Sequence, residues 1–367
     1  MGVRIPPCAH NTQLWSMQLN LSLFKKISET PGAPGFEHRI RRLIIEEIRP
    51  LVDRIEIDSL GNLVALKQGA KEPGTKKVMV AAHMDELGLI VKHIDQRGFV
   101  RFHALGGFDP RTLIAQRVII HGRRDLIGVI GTKAIHFMTE EERKRPLDLG
   151  SLYIDLGRSQ EAVERDVTVG DPITRERNLI ELGDCISGKS LDNRTGVFVL
   201  IEALRTLQAV PYDVYAVFTV QEEVGIRGAQ VAAHHINPDF SLALDTTTSL
   251  DLPTTQPHEK VTTLGRGAGI KIMDARTICD YRMVAYLREI ASRNNIAWQN
   301  DLKAVGGTDT SALQRMGKHG AIAGALTIPI RYAHQVVEVV HKNDVAACIQ
   351  LLQAALVGLD TYGWQHS

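Results

Sequence analysis

Lys76-Lys77-Val78-Met79-Val80-Ala81-Ala82-His83-Met84-Asp85-Glu86 is the stretch whose reading decides the fold. Val78 to Ala82 is an unbroken apolar run of strand length, with lysines before it and an abrupt polar break after it. Such a run reads as a β-strand covered on both faces, the pattern of a parallel sheet flanked by helices. In open α/β sheets, ligands collect beyond the carboxyl ends of the strands. The break at His83, Asp85 and Glu86 therefore marks a candidate site.

Upstream, Leu19 to Ile48 holds two helical patterns around a break at Pro31, Gly32, Pro34 and Gly35. In the second, Ile40, Leu43, Ile44 and Ile48 recur at helical spacing. A strand pair follows at Arg54–Ile57 and Asn62–Leu66, joined by the turn residues Asp58-Ser59-Leu60-Gly61. Downstream, from about Gly88 to Asp184, the texture changes to short β-branched runs at Arg117–His121, Leu126–Thr132 and Ala162–Val169. Only a short helix near Thr139–Lys144 interrupts them, so this part reads as a small all-β module. After Asp184 the α/β rhythm returns. Helices are expected at Arg194–Leu207, Ile278–Asn294 and Val345–Leu359, and strands at Tyr212–Val220, Ser241–Asp245, Leu302–Val305 and Ala321–Ile328. The fold class is α/β: a mixed, largely parallel sheet sandwiched by helices, interrupted by a small inserted β domain. The domains are then residues 19–87 with 185–367, and the insertion 88–184, behind a disordered extension at 1–18 in which Met17 is an alternative start.

With 43 basic and 42 acidic residues, the formal net charge is +1. No excess positive field attracts phosphates, so no nucleic acid is expected as a partner. No apolar run approaches the ~18 residues that span a bilayer, so no membrane is expected either. Cys8, Cys185, Cys279 and Cys348 are scattered and form no CxxC pair, which fits a reducing, cytoplasmic setting.

Polar residues stand at strand ends from distant parts of the chain: His83 and Asp85, the group Gln221-Glu222-Glu223, Asp245, Gly306-Gly307-Thr308-Asp309, and His334 after an apolar run. Asp192 opens a helix after Gly188-Lys189-Ser190-Leu191. Two imidazoles and several carboxylates brought to one spot suit a pair of divalent ions, which a bridging carboxylate holds ~3.5–4 Å apart. Within Glu222-Glu223, one carboxylate can bind metal while the other stays free as a general base. Asp85 can bond the second ring nitrogen of His83 and fix its tautomer. Each residue also has a plainer reading. Asp192 can cap its helix, the Glu pair can be a solvated turn, and a lone His can be a polar strand end.

Taken together, the motifs go further. Ala82-His83-Met84-Asp85-Glu86 with Gly88, Ser190-Leu191-Asp192-Asn193-Arg194 with Gly196, and Gln221-Glu222-Glu223-Val224-Gly225 with Arg227-Gly228-Ala229 resemble the glutamyl/leucyl (deblocking) metallo-aminopeptidases. So do Ala243-Leu244-Asp245, Gly307-Thr308-Asp309 and Arg331-Tyr332-Ala333-His334, and the likeness runs from about Leu19 to Leu359. Members of that family are also known as endoglucanase-like or frv-operon proteins. The resemblance implies a phosphorylase/hydrolase-like catalytic domain with an inserted β-barrel used for dimerisation, and homo-oligomers that are dodecamers built from dimers. It implies an aminopeptidase acting on short peptides with two divalent ions per subunit, zinc or cobalt. One ion would be held by His83, Glu223 and Asp192, and the other by Asp192, Asp245 and His334. Glu222 would be the general base and Asp85 the residue orienting His83. The family usually has Ser-Pro after the last ligand, whereas Gln335-Val336 stand here. Rival readings are a related dinuclear deacylase or carboxypeptidase, a glycosidase using two carboxylates, and a metal-binding scaffold without activity.

Overall fold

The computed structural model describes residues 18–70 and 76–366. The extension expected at 1–18 thus lies outside the described residues, Gln18 excepted. Among the described residues, the larger body is built on one mixed sheet of eleven strands. Its strands are β1 (Arg54–Ile57), β2 (Leu63–Lys67) and β3 (Lys77–His83), then, after the barrel strands β4 to β9 given below, β10 (Ile180–Leu182), β11 (Cys185–Gly188), β12 (Asp213–Thr219), β13 (Phe240–Thr248), β14 (Ala268–Met273), β15 (Trp298–Leu302), β16 (Ile322–Arg331) and β17 (Glu338–His341). The order is β1-β2-β12-β3-β13-β16-β17-β11-β10, with β14 joining β16 to β15. The centre, β12-β3-β13-β16, is parallel, and the strands flanking it run antiparallel.

The opening stretch forms β3, and its alternation explains its composition. Val78, Val80 and Ala82 enter the larger core cluster, while Met79 and Ala81 enter a second cluster on the opposite face. All five are fully buried. At about 0.8 kcal/mol per buried methylene, this two-sided burial is what an uninterrupted apolar run provides. Helices cover both faces: α1 (Leu21–Glu29), α2 (His38–Ile48), α6 (Leu191–Thr206), α8 (Tyr281–Arg293) and α10 (Lys342–Gly358) on the first, and α7 (Arg227–Ile236) and α9 (Thr310–Arg315) on the second. Lys342–Thr361 is the one segment among the described residues with the length and hydropathy of a membrane span. It packs as a core helix against α6 and α8, with Val345, Cys348, Leu352 and Leu356 buried.

Between β3 and β10 the chain closes a six-stranded barrel of β4 (Gly88–Ile94), β5 (Val100–Leu105), β6 (Arg117–His121), β7 (Asp125–Gly131), β8 (Tyr153–Asp155) and β9 (Pro172–Arg175). Short helices α3 (Pro110–Leu113), α4 (Glu140–Lys144) and α5 (Gln160–Glu164) lie in its connections. It has its own core, including Val100, Phe102, Ile120, Ile130 and Ile154. Contacts back to the larger body include Arg39, whose guanidinium donates twice to Asp125 at 2.6 and 2.8 Å. The edge strand β10 already belongs to the large sheet, pairing with β11.

Four expectations are corrected. Ala162–Val169 is not a strand, because Ser159 precedes a helical turn carrying Glu161, a sequence that starts helices. The strand expected at Leu302–Val305 lies earlier, at Trp298–Leu302, where Gln299 and Asp301 spend their polar atoms on Thr263, Gly267 and Thr327. A helix, α7, stands between β12 and β13, and its inner face is made of Ala229, Ala232 and Ala233 with Ile236. Asp245 does not end its strand, since β13 continues to Thr248.

Candidate metal centre

The parallel centre of the sheet puts its strand ends side by side. His83 closes β3 in register with Thr219, the last residue of β12, and β13 lies on the other side of β3 with Leu244 opposite Ala82. This register carries Asp245 and the loop after β12 to the same place as His83. His334 follows β16, and Asp192 arrives on the first turn of α6. His83, Asp192, Glu222, Glu223, Asp245 and His334 together line an open cleft of about 640 Å³. Asp85 lies directly behind, with no exposure. A roomier cleft of about 970 Å³ runs along α10, but among the described residues its charged lining is only Glu181 and Lys342.

Asp192 does not cap α6; Asn193 does, its Oδ1 accepting the Gly196 N–H at 3.0 Å. The peptide bond between Asp192 and Asn193 is cis. The backbone N–H of Asp192 donates to Glu338 Oε2 at 3.0 Å. Several residues flanking the cleft take left-handed backbone angles that non-glycine residues rarely adopt: Ser190, Gln221, Ile226, Tyr332 and His334. Such strain persists where the surrounding structure dictates the conformation, as it does at functional sites.

The donors form two groups that share Asp192: His83, Asp192 and Asp245, and then Asp192, Glu223 and His334. This partition differs from the one implied by the resemblance, since Asp245 accompanies His83 and Glu223 accompanies His334. His83 Nε2 lies 3.6 Å from Asp192 Oδ1 and 3.6 Å from Asp245 Oδ1. His334 Nε2 lies 3.4 Å from Asp192 Oδ2 and 3.5 Å from Glu223 Oε2. These gaps are long for hydrogen bonds, yet ligands about 2.0–2.1 Å from one tetrahedral ion stand about 3.3 Å apart. Glu222 belongs to neither group, and its Oε2 is 3.9 Å from His83 Nε2.

The electrostatics point the same way. Asp85, Asp192, Asp245 and Asp309 are buried around the cleft and Glu222 and Glu223 are half-buried in it, and among the described residues no Lys or Arg side chain hydrogen-bonds to any of them. Among the described residues, Glu223 Oε1, His83 Nδ1 and Asp309 Oδ1 are buried without a hydrogen-bond partner. Burial and its carboxylate neighbours push Glu222 well above the usual range, and burial with Asp192 pushes Glu223 to about 8. Burial opposes a charge on His83, but Asp192, Asp245 and Asp85 outweigh it and hold the imidazole well above its ordinary value. Asp192 raises His334 to about 9. A site that must otherwise take up protons to offset its own carboxylates is a site built for cations. The donor set, its spacing and its orphaned atoms fit divalent metal.

Asp85 does more than face His83, whose Nδ1 is 3.4 Å from Asp85 Oδ1. Its two oxygens accept the backbone N–H groups of Glu222 and Glu223, each at 3.1 Å. Two further acidic residues support the site: Asp309, which the sequence marks only as a polar strand end without a role, and Glu338, which the sequence reading does not single out. Asp309 accepts a 2.5 Å bond from Thr219 Oγ1, and burial lifts its pKa to about 7. Glu338 holds the Asp192 amide. A lone Glu inside the apolar run Val336–Val340 is the signal that points to it.

A cation-binding cleft at the carboxyl ends of a mixed sheet, with a β-barrel inserted after the first ligand strand, is the arrangement that the resemblance to the metallo-aminopeptidases implies. The profile of the M42 glutamyl aminopeptidase family matches residues 61–351, and the chain belongs to that family. It is 35% identical over 344 residues to the lysyl aminopeptidase of Pyrococcus furiosus, covering 91% of this chain and 96% of that one. Its structure matches an aminopeptidase of the archaeon Desulfurococcus kamchatkensis with a TM-score of 0.87 at 38% identity, over 92% and 94% of the two chains. It matches the TET1 peptidase of Pyrococcus horikoshii, which can assemble into a tetrahedron or a large octahedral shell, with a TM-score of 0.80 at 33% identity, over 92% and 98%. The protein is a peptide hydrolase, a metal-dependent aminopeptidase.

Proposed function

We propose that this enzyme removes the N-terminal residue from short peptides at a two-ion centre, with Glu222 as the general base. The observation that carries the reading is the pair of donor groups sharing Asp192, with Glu222 left outside both. His83, Asp192 and Asp245 would hold one ion, and Asp192, Glu223 and His334 the other. Imidazole and carboxylate donors without thiolate suit zinc or cobalt. When bound, such ions supply Lewis acidity, lowering the pKa of water and polarising a carbonyl. Glu222 takes a proton from the water that attacks the scissile carbonyl carbon. It returns that proton to the leaving nitrogen as the C–N bond breaks, giving a free amino acid and a shortened peptide. Asp85 acts as a positioning residue, holding the Glu222 and Glu223 amides while facing His83.

The far wall of the cleft supports a specificity. Arg276 and Lys303 line it beside Gly306 and Gly307, and among the described residues neither side chain has an ion-pair partner. Asp274 shapes that wall by accepting the N–H groups of Arg276 and Thr277, both at 2.9 Å. Two unpaired cations facing the substrate favour an acidic N-terminal side chain. A panel of aminoacyl chromogenic substrates with added zinc or cobalt tests this. Wild-type enzyme is expected to prefer Glu and Asp over Lys. Arg276→Glu should reduce kcat/KM for the Glu substrate by about 10-fold or more, the size of one charged contact. Unchanged selectivity in that variant would remove the cationic wall from the account, and no hydrolysis of any substrate would remove the aminopeptidase reading itself.

The barrel exposes Ile127, Val129, Ile135 and Phe137, which supports its use, as residues 88–184, in subunit contact within a dodecameric assembly. Residues 19–87 and 185–367 form the catalytic part in this reading, with β10 of the preceding segment paired to the edge of its sheet. The thiols of Cys185, Cys279 and Cys348 are free, which supports a cytoplasmic setting.

A further inference from the structure

The loop Val220-Gln221-Glu222-Glu223 leaves β12 with four consecutive backbone N–H groups, and each donates to a side-chain oxygen from elsewhere in the chain. Val220 N–H donates to Asn62 Oδ1 at 3.0 Å, and Gln221 N–H to Glu37 Oε1 at 3.1 Å. The Glu222 and Glu223 N–H groups go to Asp85, as described above. A loop at the end of a parallel strand ordinarily sends such groups to water or to its own turn. Here the acceptors come from the start of α2, the turn before β2 and the end of β3.

We propose that Glu37 is a positioning residue for catalysis, fixing the backbone from which Glu222 projects; this rests on the reading of Glu222 as the base. Glu37 precedes α2 in the N-cap position, yet its side chain makes no bond to its own helix. It is 97% buried, being 3% exposed. Its Oε1 accepts Gly35 N–H at 2.8 Å together with Gln221 N–H. Gly35 has φ +85°, a conformation that glycine alone adopts freely, and this turn delivers Glu37 to the loop. Gln221 itself sits at φ +55°, so its conformation needs support from outside the loop. Asn62 braces the same segment from the other side, donating Nδ2 to Gly228 O at 3.0 Å at the start of α7. Glu37 belongs to neither donor group. Its loss therefore acts on the placement of Glu222, and a displacement of about 1 Å at a reacting group can cost ~100-fold in rate.

The test compares Glu37→Ala, Glu37→Gln and Glu37→Asp in the full chain, measuring kcat, KM, bound zinc and thermal midpoint for each. The amide oxygen of Gln can accept both N–H groups, whereas Asp is one methylene short of them. Ala and Asp are expected to lower kcat at least 10-fold, with KM within about 2-fold and bound zinc equal to wild type, while Gln stays within about 3-fold of wild type. Should the Ala variant fail to fold, Gln and Asp decide between them. Wild-type kcat in Glu37→Ala or Glu37→Asp overturns the proposal, as does loss of zinc in the same variants. A Gln variant as impaired as Ala shows that charge and not the acceptor matters, which also overturns it. Failure of the base reading is separate, because it appears as full activity in a Glu222 variant whatever Glu37 does.

Discussion

Glu222→Gln is expected to keep both ions and lose nearly all turnover. The substitution preserves shape and the hydrogen bonds from the loop amide to Asp85, which involve only the backbone of residue 222. It removes a carboxylate that lines the cleft yet belongs to neither donor group. General base catalysis contributes typically 10²–10⁴-fold, so kcat should fall by about that factor with KM little changed. Metal content measured on the same sample should match wild type. Wild-type kcat with full metal content would reassign the base, and Asp309, buried at the same cleft with one unpartnered oxygen, would be the next residue to examine.

Asp192→Ala acts at the opposite end of the scale, on the ions themselves. Asp192 supplies one oxygen near His83 Nε2 and the other near His334 Nε2. Without it, His83 and Asp245 remain on one side and Glu223 and His334 on the other. Two protein donors fall short of the three that catalytic zinc sites ordinarily use. Bound zinc is therefore expected to drop below one ion per chain, and activity to background. Asp192→Asn serves as a check on folding, because it fills the same space and keeps the backbone N–H that Glu338 accepts. Two ions retained in Asp192→Ala would show that the shared carboxylate is not what joins the two groups.

The strand-end residues were readable because chemistry and periodicity break at the same positions. Five apolar residues followed by His-Met-Asp-Glu can scarcely be anything but a buried strand reaching a polar edge, and β3 is that strand. The grouping of the donors was not readable, because it depends on strand order. β13 pairs with β3, which sets Asp245 beside His83, whereas Glu223 stands on a loop that reaches towards His334. That order is set by crossovers through α6 and α7, and α7 itself was hidden by an inner face made mostly of alanine. β15 was misplaced for the converse reason, since it is mostly polar in sequence, and Gln299 and Asp301 bond to distant segments. The supports of the site share this property. Glu37, Asn62 and Glu338 lie 184, 158 and 146 residues from the amides they hold, and no local spacing records such a bond. The ligands carry a local signature because a strand end exposes them. Their supports carry none, since each is simply a polar residue whose partner folding brings into place.

The central claim is a two-ion centre built on His83, Asp192, Glu223, Asp245 and His334, and its most direct test is reconstitution. Wild-type protein stripped by a chelator would be titrated with zinc or cobalt, following hydrolysis of a glutamyl chromogenic substrate and counting bound ions by elemental analysis. No activity is expected in the stripped protein, and the rise to full rate is expected to be complete only as the second ion per chain is taken up. Full rate at one ion per chain, or activity that survives removal of metal, would contradict it.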